Sequence, residues 1–139
     1  MKLKLFLNKI FNTLEKKKID YCILRNYKSL PEKLDSNDID ILVNKKDLRY
    51  IIKTVQRYCD VVLINQRDYL VGLTLNGIEN SGNNSLKIDL ITKIAWKGLS
   101  YLDNETIFDH KIMYKKKFFI PQKYHEPIIT FFSSYLVGG

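Results

Sequence analysis

Cysteine is scarce in this 139-residue chain: Cys22 and Cys59 stand alone and 37 residues apart. That spacing fits neither a zinc-ligand pair nor a disulfide framework, so both read as reduced thiols of the core. Histidine is equally sparse, and His110 and His125, 15 residues apart, match no metal-binding spacing and read as surface or interface residues. No serine, histidine and aspartate arrangement accompanies them, and the six glycines form no phosphate-cradling loop. Long apolar runs are missing too. The opening Met1-Lys-Leu-Lys-Leu-Phe-Leu is interrupted by Asn8 and Lys9, short of a signal-peptide core or a membrane span, which predicts a cytoplasmic protein without a transmembrane segment. With no internal repeat, low-complexity tract or linker, residues 1–139 read as one domain.

What is present suffices for a folded interior. Hydrophobic residues make up 45% of the chain and aromatics 12%, which excludes disorder. The 23 lysines and arginines outnumber 15 acidic residues by eight, and this balance favours anionic partners: nucleotides, nucleic acid or acidic lipid headgroups.

Leu3, Phe6, Leu7, Ile10, Phe11 and Leu14 recur at helical spacing and predict an amphipathic first helix, which Lys16, Lys17 and Lys18 close favourably for its dipole. A short buried strand is expected over 20–26, a loop over 27–37, and a second strand over 38–44. Leu48, Ile51, Ile52, Val55 and Cys59 predict a second helix with Asp47 as its side-chain cap. Strands over 61–64, 69–75 and 86–91 follow, with a loop or hairpin end over 76–85. Beyond Trp96-Lys97-Gly98 the pattern weakens to an interrupted strand over 112–120 and a closing helix over 126–137. The order describes an α/β or α+β domain with a mixed sheet.

The chemistry concentrates on three aspartates. Asp38 and Asp40 open an apolar strand, and the period of two points both carboxylates to one face while Ile39 points to the other. Two anions held so close call for a cation between them, and oxygen donors suit Mg²⁺ or Mn²⁺. Asp89 interrupts a second apolar strand, Leu86-Lys-Ile-Asp-Leu-Ile91, where an unpartnered charge is costly. If the two strands are neighbours, three carboxylates meet and can hold the metal ions that clamp attacking and departing oxygens in phosphoryl and nucleotidyl transfer. The competing readings are a solvated strand entrance for Asp38 and Asp40, and an edge-strand Asp89 facing solvent or paired with Lys87. A calcium loop starting at Asp35 fails, because its sixth position is Asp40 where glycine is needed and its twelfth is Lys46 where glutamate is needed. The Asp-x-Asp of nucleotide-sugar glycosyltransferases usually follows an apolar strand, whereas here Ile41-Leu-Val43 comes after the pair.

The succession Tyr21-Cys-Ile-Leu24, Asp38-Ile-Asp40-Ile-Leu-Val43 and Lys87-Ile-Asp89-Leu90 resembles the nucleotidyltransferase superfamily that includes DNA polymerase beta, aminoglycoside nucleotidyltransferases and minimal nucleotidyltransferases. The resemblance covers about residues 19–93. Ile23-Leu-Arg-Asn-Tyr27, Leu30-Pro31 and the Asp38 strand look in addition like nucleotidyltransferase-like proteins encoded among bacterial surface-polysaccharide genes. The resemblance implies a nucleotidyltransferase-like mixed sheet flanked by helices. It implies Asp38, Asp40 and Asp89 as ligands of Mg²⁺ or Mn²⁺, with Asp89 as base, and transfer of a nucleoside monophosphate from a nucleoside triphosphate to a hydroxyl acceptor. The chain departs from the family where a Gly-Ser turn brings backbone amides to the triphosphate: it carries Arg25-Asn26. Asn26 tolerates left-handed backbone angles and Arg25 offers a fork of donors, so these two, with Lys87, are the expected phosphate-binding residues. The same departure supports an alternative, a noncatalytic module of the same fold that binds a nucleotide, a phosphorylated glycan precursor or a protein partner. Nucleic acid is the weaker partner reading, resting on net charge and on Lys115-Lys-Lys117 beside Tyr114, Phe118 and Phe119; a solvated hairpin competes with it. Trp96 and Lys97 are a base- or sugar-stacking candidate against core packing.

Overall fold

A computed structural model describes residues 1–129 except Asn37, Lys97, Gly98, Tyr124, Glu126 and Ile128, and without the side chains of 95, 96 and 99–101. Lys97, the Trp96 side chain and most of the expected 126–137 helix therefore lie outside the described residues. Helix α1 (Leu3–Lys16) forms where the spacing predicts it, with Leu3, Phe6, Leu7, Ile10, Phe11 and Leu14 all buried. At 3.6 residues per turn these positions make one stripe, and burying each large apolar side chain contributes about 1.5–3 kcal/mol. Past Lys16 the chain reverses through Lys18, whose φ of 56° is left-handed, into β1 (Tyr21–Ile23). Phe11 stacks on Tyr21 with ring centres 5.1 Å apart, and the Tyr21 hydroxyl donates to Glu15 at 2.7 Å.

The first strand is shorter than expected. Leu24 still donates its N–H to the Asp40 carbonyl, but the left-handed backbone of Asn26, φ 58°, turns the chain away. β2 (Asp38–Val43) runs through a 3₁₀ turn (Lys45–Asp47) into α2 (Leu48–Gln56). Asp47 does not cap α2 with its side chain, contrary to the sequence expectation. It already belongs to the preceding helical turn, its N–H bonded to the Asn44 carbonyl. Cys59 lies beyond the helix, which ends at Gln56.

β3 (Asp60–Arg67), β4 (Leu70–Asn80) and β5 (Asn83–Ile91) form a meander whose strands outrun the predicted ones. The 76–85 segment, expected as a loop or hairpin end, is the end of the β4–β5 hairpin, mostly strand and closed by Ser81 and Gly82. Both have positive φ, 49° and 82°, which suits the right-handed twist of a two-residue hairpin. After β5 come β6 (Ile94–Trp96), β7 (Leu99–Leu102) and α3 (Asn104–Asp109), none of them predicted. The 112–120 segment is a hairpin, β8 (Ile112–Tyr114) and β9 (Phe118–Ile120), turned by left-handed Lys115 and Lys116.

The main sheet has the order β1-β2-β5-β4-β3. β2 and β5 are parallel, with Asp40 opposite Asp89; the β1–β2, β4–β5 and β3–β4 pairs are antiparallel. α1 shares the larger core with Leu73 and Leu75 of β4 and with Phe118 and Ile120. A smaller core on the opposite face gathers Leu42, Leu70, Ile91, Ile107 and Phe108. The architecture is a mixed α+β sheet flanked by helices, as expected. No helix among the described residues is long and apolar enough to cross a membrane.

Candidate functional site

The three aspartates converge. Asp40 and Asp89 occupy one cross-strand row of the parallel β2–β5 pair, and Asp38 is opposite Lys87 two residues earlier on the same face. Directly paired residues of neighbouring strands point to the same side, so the register brings the carboxylates together. One oxygen from each of Asp38, Asp40 and Asp89 lies within 4.8 Å of the others. Asp40 and Asp89 are each only 1% exposed, and Asp38 is half-buried. The solvated-entrance and solvent-facing readings therefore fail for Asp40 and Asp89.

The residues suit a hard divalent cation. Asp40 Oδ1 and both Asp89 oxygens are buried without a hydrogen-bond donor among the described residues. Buried carboxylate oxygens left so are costly unless protonated or bound to a cation. Burial pushes the Asp40 carboxyl up from its ordinary range, opposed by Arg25. Asp89 is pushed up to about 7, first by burial and then by Asp38, with Lys87 opposing. Three oxygen ligands of this kind fit Mg²⁺ or Mn²⁺ better than a soft metal.

Arg25, an expected phosphate-binding residue, is bonded to the acidic cluster. Its Nε donates to Asp40 Oδ2 at 2.5 Å, so the guanidinium supplies one positive charge to the cluster and leaves Oδ1 free. Asn26 takes a left-handed conformation, φ 58°. Lys87 Nζ lies 4.0 Å from Asp89 Oδ1 and is half-exposed, near enough to bias the carboxylate without bonding to it.

Gly72 escaped the sequence reading. It faces Asp89 across the β4–β5 ladder, and a Cβ there would lie 3.1 Å from Asp89 Oδ1. A side chain would press on the carboxylate, so the glycine makes room for it. A glycine inside an apolar strand was the available signal, since it marks a close approach. Asn104 was missed as well. Its Nδ2 donates to the Thr92 carbonyl at 2.8 Å and to the Val43 carbonyl at 3.3 Å, tying α3 to the C-terminal ends of β2 and β5.

The weaker candidates resolve structurally. Lys117 pairs with Glu32 at 2.9 Å and Lys115 donates to the Lys28 carbonyl. Tyr114 packs edge-on against Tyr27, and Phe118 is buried, so these aromatics serve packing in a hairpin. His110 and His125, distant in sequence, meet with ring centres 5.9 Å apart.

No protein-family profile matches the chain, and no curated protein does. Among solved structures it is similar to a Thermotoga maritima protein described, provisionally, as a nucleotidyltransferase: TM-score 0.59, 12% identity, covering 95% of this chain and 84% of that one. At that identity the likeness shows a shared fold, the nucleotidyltransferase-like arrangement expected from the sequence.

Proposed function

We propose that the protein transfers a nucleoside monophosphate from a nucleoside triphosphate to a hydroxyl acceptor, with Mg²⁺ or Mn²⁺ held by Asp38, Asp40 and Asp89. The observation that carries this reading is the convergence of three carboxylates, two of them buried and lacking donors, on adjacent parallel strands. The fold shared with the Thermotoga maritima protein supports it. A bound divalent cation would neutralise the carboxylates and polarise the phosphoryl oxygens of the triphosphate.

The chain's own groups divide the remaining work. Asp89, buried beside the other two carboxylates, is the group we assign to take the proton of an acceptor hydroxyl. Asp38, the most accessible of the three, faces entering ligand. Arg25 holds Asp40 in place through its Nε, and its remaining guanidinium donors and Lys87 supply positive charge for phosphate oxygens. The acceptor class suggested by the narrower resemblance is a sugar hydroxyl of a surface-polysaccharide precursor, handled in the cytoplasm.

The test is pyrophosphate release from each nucleoside triphosphate with Mg²⁺ across sugar and sugar-phosphate acceptors, wild type against Asp89→Asn. Release by the wild type, abolished in the variant while most nucleotide binding persists, is the expected result. The second reading, a noncatalytic binding module, is favoured by the Arg25–Asp40 ion pair, which places a side-chain cation inside the acidic cluster. Nucleotide binding without pyrophosphate release under any acceptor would establish it instead. Absence of nucleotide binding would remove both.

A further inference from the structure

β3 is an edge of the main sheet, and among the described residues nothing pairs with its outer side. Natural edges are usually blunted by charge, proline or brevity. This one is eight residues long and runs Val61-Val-Leu-Ile-Asn-Gln66 without a charge. Val62, Leu63 and Ile64 are 58%, 60% and 50% exposed. Charges sit only at its ends, Asp60 and Arg67, and neither has an ion-pair partner among the described residues.

The strand's register makes it self-complementary. Asp60 faces Asn76, Ile64 faces Leu73 and Arg67 faces Leu70, while an irregularity between Val61 and Leu63 leaves Val62 outside the ladder. Asp60 and Arg67 are therefore each three ladder steps from Ile64, Asp60 toward one end and Arg67 toward the other. Without the bulge Asp60 would be four steps away. A two-fold axis perpendicular to the sheet through Ile64 thus brings Asp60 of one copy directly opposite Arg67 of the other. Because each stands an odd number of steps from Ile64, both charges lie on the same face. The same operation sets Leu63 opposite Asn65 and Val61 opposite Gln66, with the two Ile64 side chains meeting at the axis.

We propose that two copies of the chain associate by antiparallel pairing of β3 about Ile64, extending the sheet across the dimer with two reciprocal Asp60–Arg67 ion pairs. The free N–H and C=O groups of the edge gain partners, and the exposed Val62, Leu63 and Ile64 are covered. This inference stands apart from the proposed activity, since it uses none of the site residues.

Sedimentation equilibrium over a wide concentration range tests it in three proteins: wild type, Arg67→Asp, and Asp60→Arg with Arg67→Asp together. The wild type is expected to dimerise. Arg67→Asp sets four carboxylates in two like-charge pairs and weakens association on the order of tenfold or more. The double exchange restores it, because each introduced arginine then meets an introduced aspartate of the other copy. Hydrogen exchange supplies a second reading that does not depend on variants: outward-facing β3 amides are protected at high concentration and lose protection on dilution. A wild type that stays monomeric, or a dimer that Arg67→Asp leaves untouched or that the double exchange fails to restore, overturns the proposal.

Discussion

Replacing Asp89 by asparagine should make the metal-free protein more stable, against the usual effect of altering a buried residue. The Asp89 carboxyl is nearly inaccessible and is pushed up to about 7 from an ordinary 3.8. A group whose folded-state pKa is raised contributes its full stability below the unfolded value and loses it as pH rises through the folded one. For Asp89 the loss begins near pH 4 and is complete above pH 7. A difference of about 3 pH units corresponds to roughly 4 kcal/mol at 1.4 kcal/mol per unit. Relaxation and water entry around a buried charge reduce the expected figure to about 2–4 kcal/mol. Asparagine carries no charge, and its amide can donate to Asp38 or Asp40. Asp89→Asn should therefore raise the melting temperature by roughly 5–15 °C at pH 8 in EDTA. At pH 4, where both side chains are neutral, it should change the melting temperature little. Millimolar Mg²⁺ should raise the wild type toward the variant and leave the variant unmoved, since a ligand at 100 times its Kd stabilises by about 2.7 kcal/mol. Thermal unfolding followed by circular dichroism over pH 4–8, with and without Mg²⁺, reads all of this. An advantage for Asp89→Asn that is absent at pH 8, or equal at every pH, would refute the account of Asp89 as an uncompensated buried carboxylate.

Three further outcomes follow from the same geometry. Arg25→Ala removes the charged partner of nearly inaccessible Asp40 and should destabilise by about 1–3 kcal/mol at pH 8. The loss should shrink at lower pH as Asp40 takes up a proton, and urea titrations at the two pH values check the sign. Gly72→Ala places a Cβ 3.1 Å from Asp89 Oδ1, so the variant should remain folded but show a smaller Mg²⁺-induced rise in melting temperature than wild type. An undiminished rise would mean that the carboxylate yields freely. Burial pushes the Cys22 thiol up to about 12 and the Cys59 thiol up to about 11, so both should resist a thiol reagent at pH 8 until the protein is denatured, as timed absorbance traces will show.

The local elements were legible because their cause is local. Six apolar residues at a 3.6 period mark one apolar helix face, and the Asp-x-Asp on an extended chain could only present two carboxylates together. Asp89 was legible as a misfit, an anion inside an apolar strand. Several readings depended on which strands become neighbours, and periodicity carries no information about pairing. The parallel β2–β5 register sets Asp40 beside Asp89. The antiparallel β4–β5 register sets Gly72 against that carboxylate. The turn after β1 brings Arg25 onto Asp40 rather than leaving it free. β6, β7 and α3 were invisible for a related reason: elements of three to six residues are too short to show a period and are held by contacts with distant chain, such as Asn104 to Val43. The helix face and the paired carboxylates were thus written into the order of residues. Which carboxylates meet, and which edge of the sheet stays open, emerged only on folding, because strand order and register are set by long-range packing rather than by neighbours along the chain.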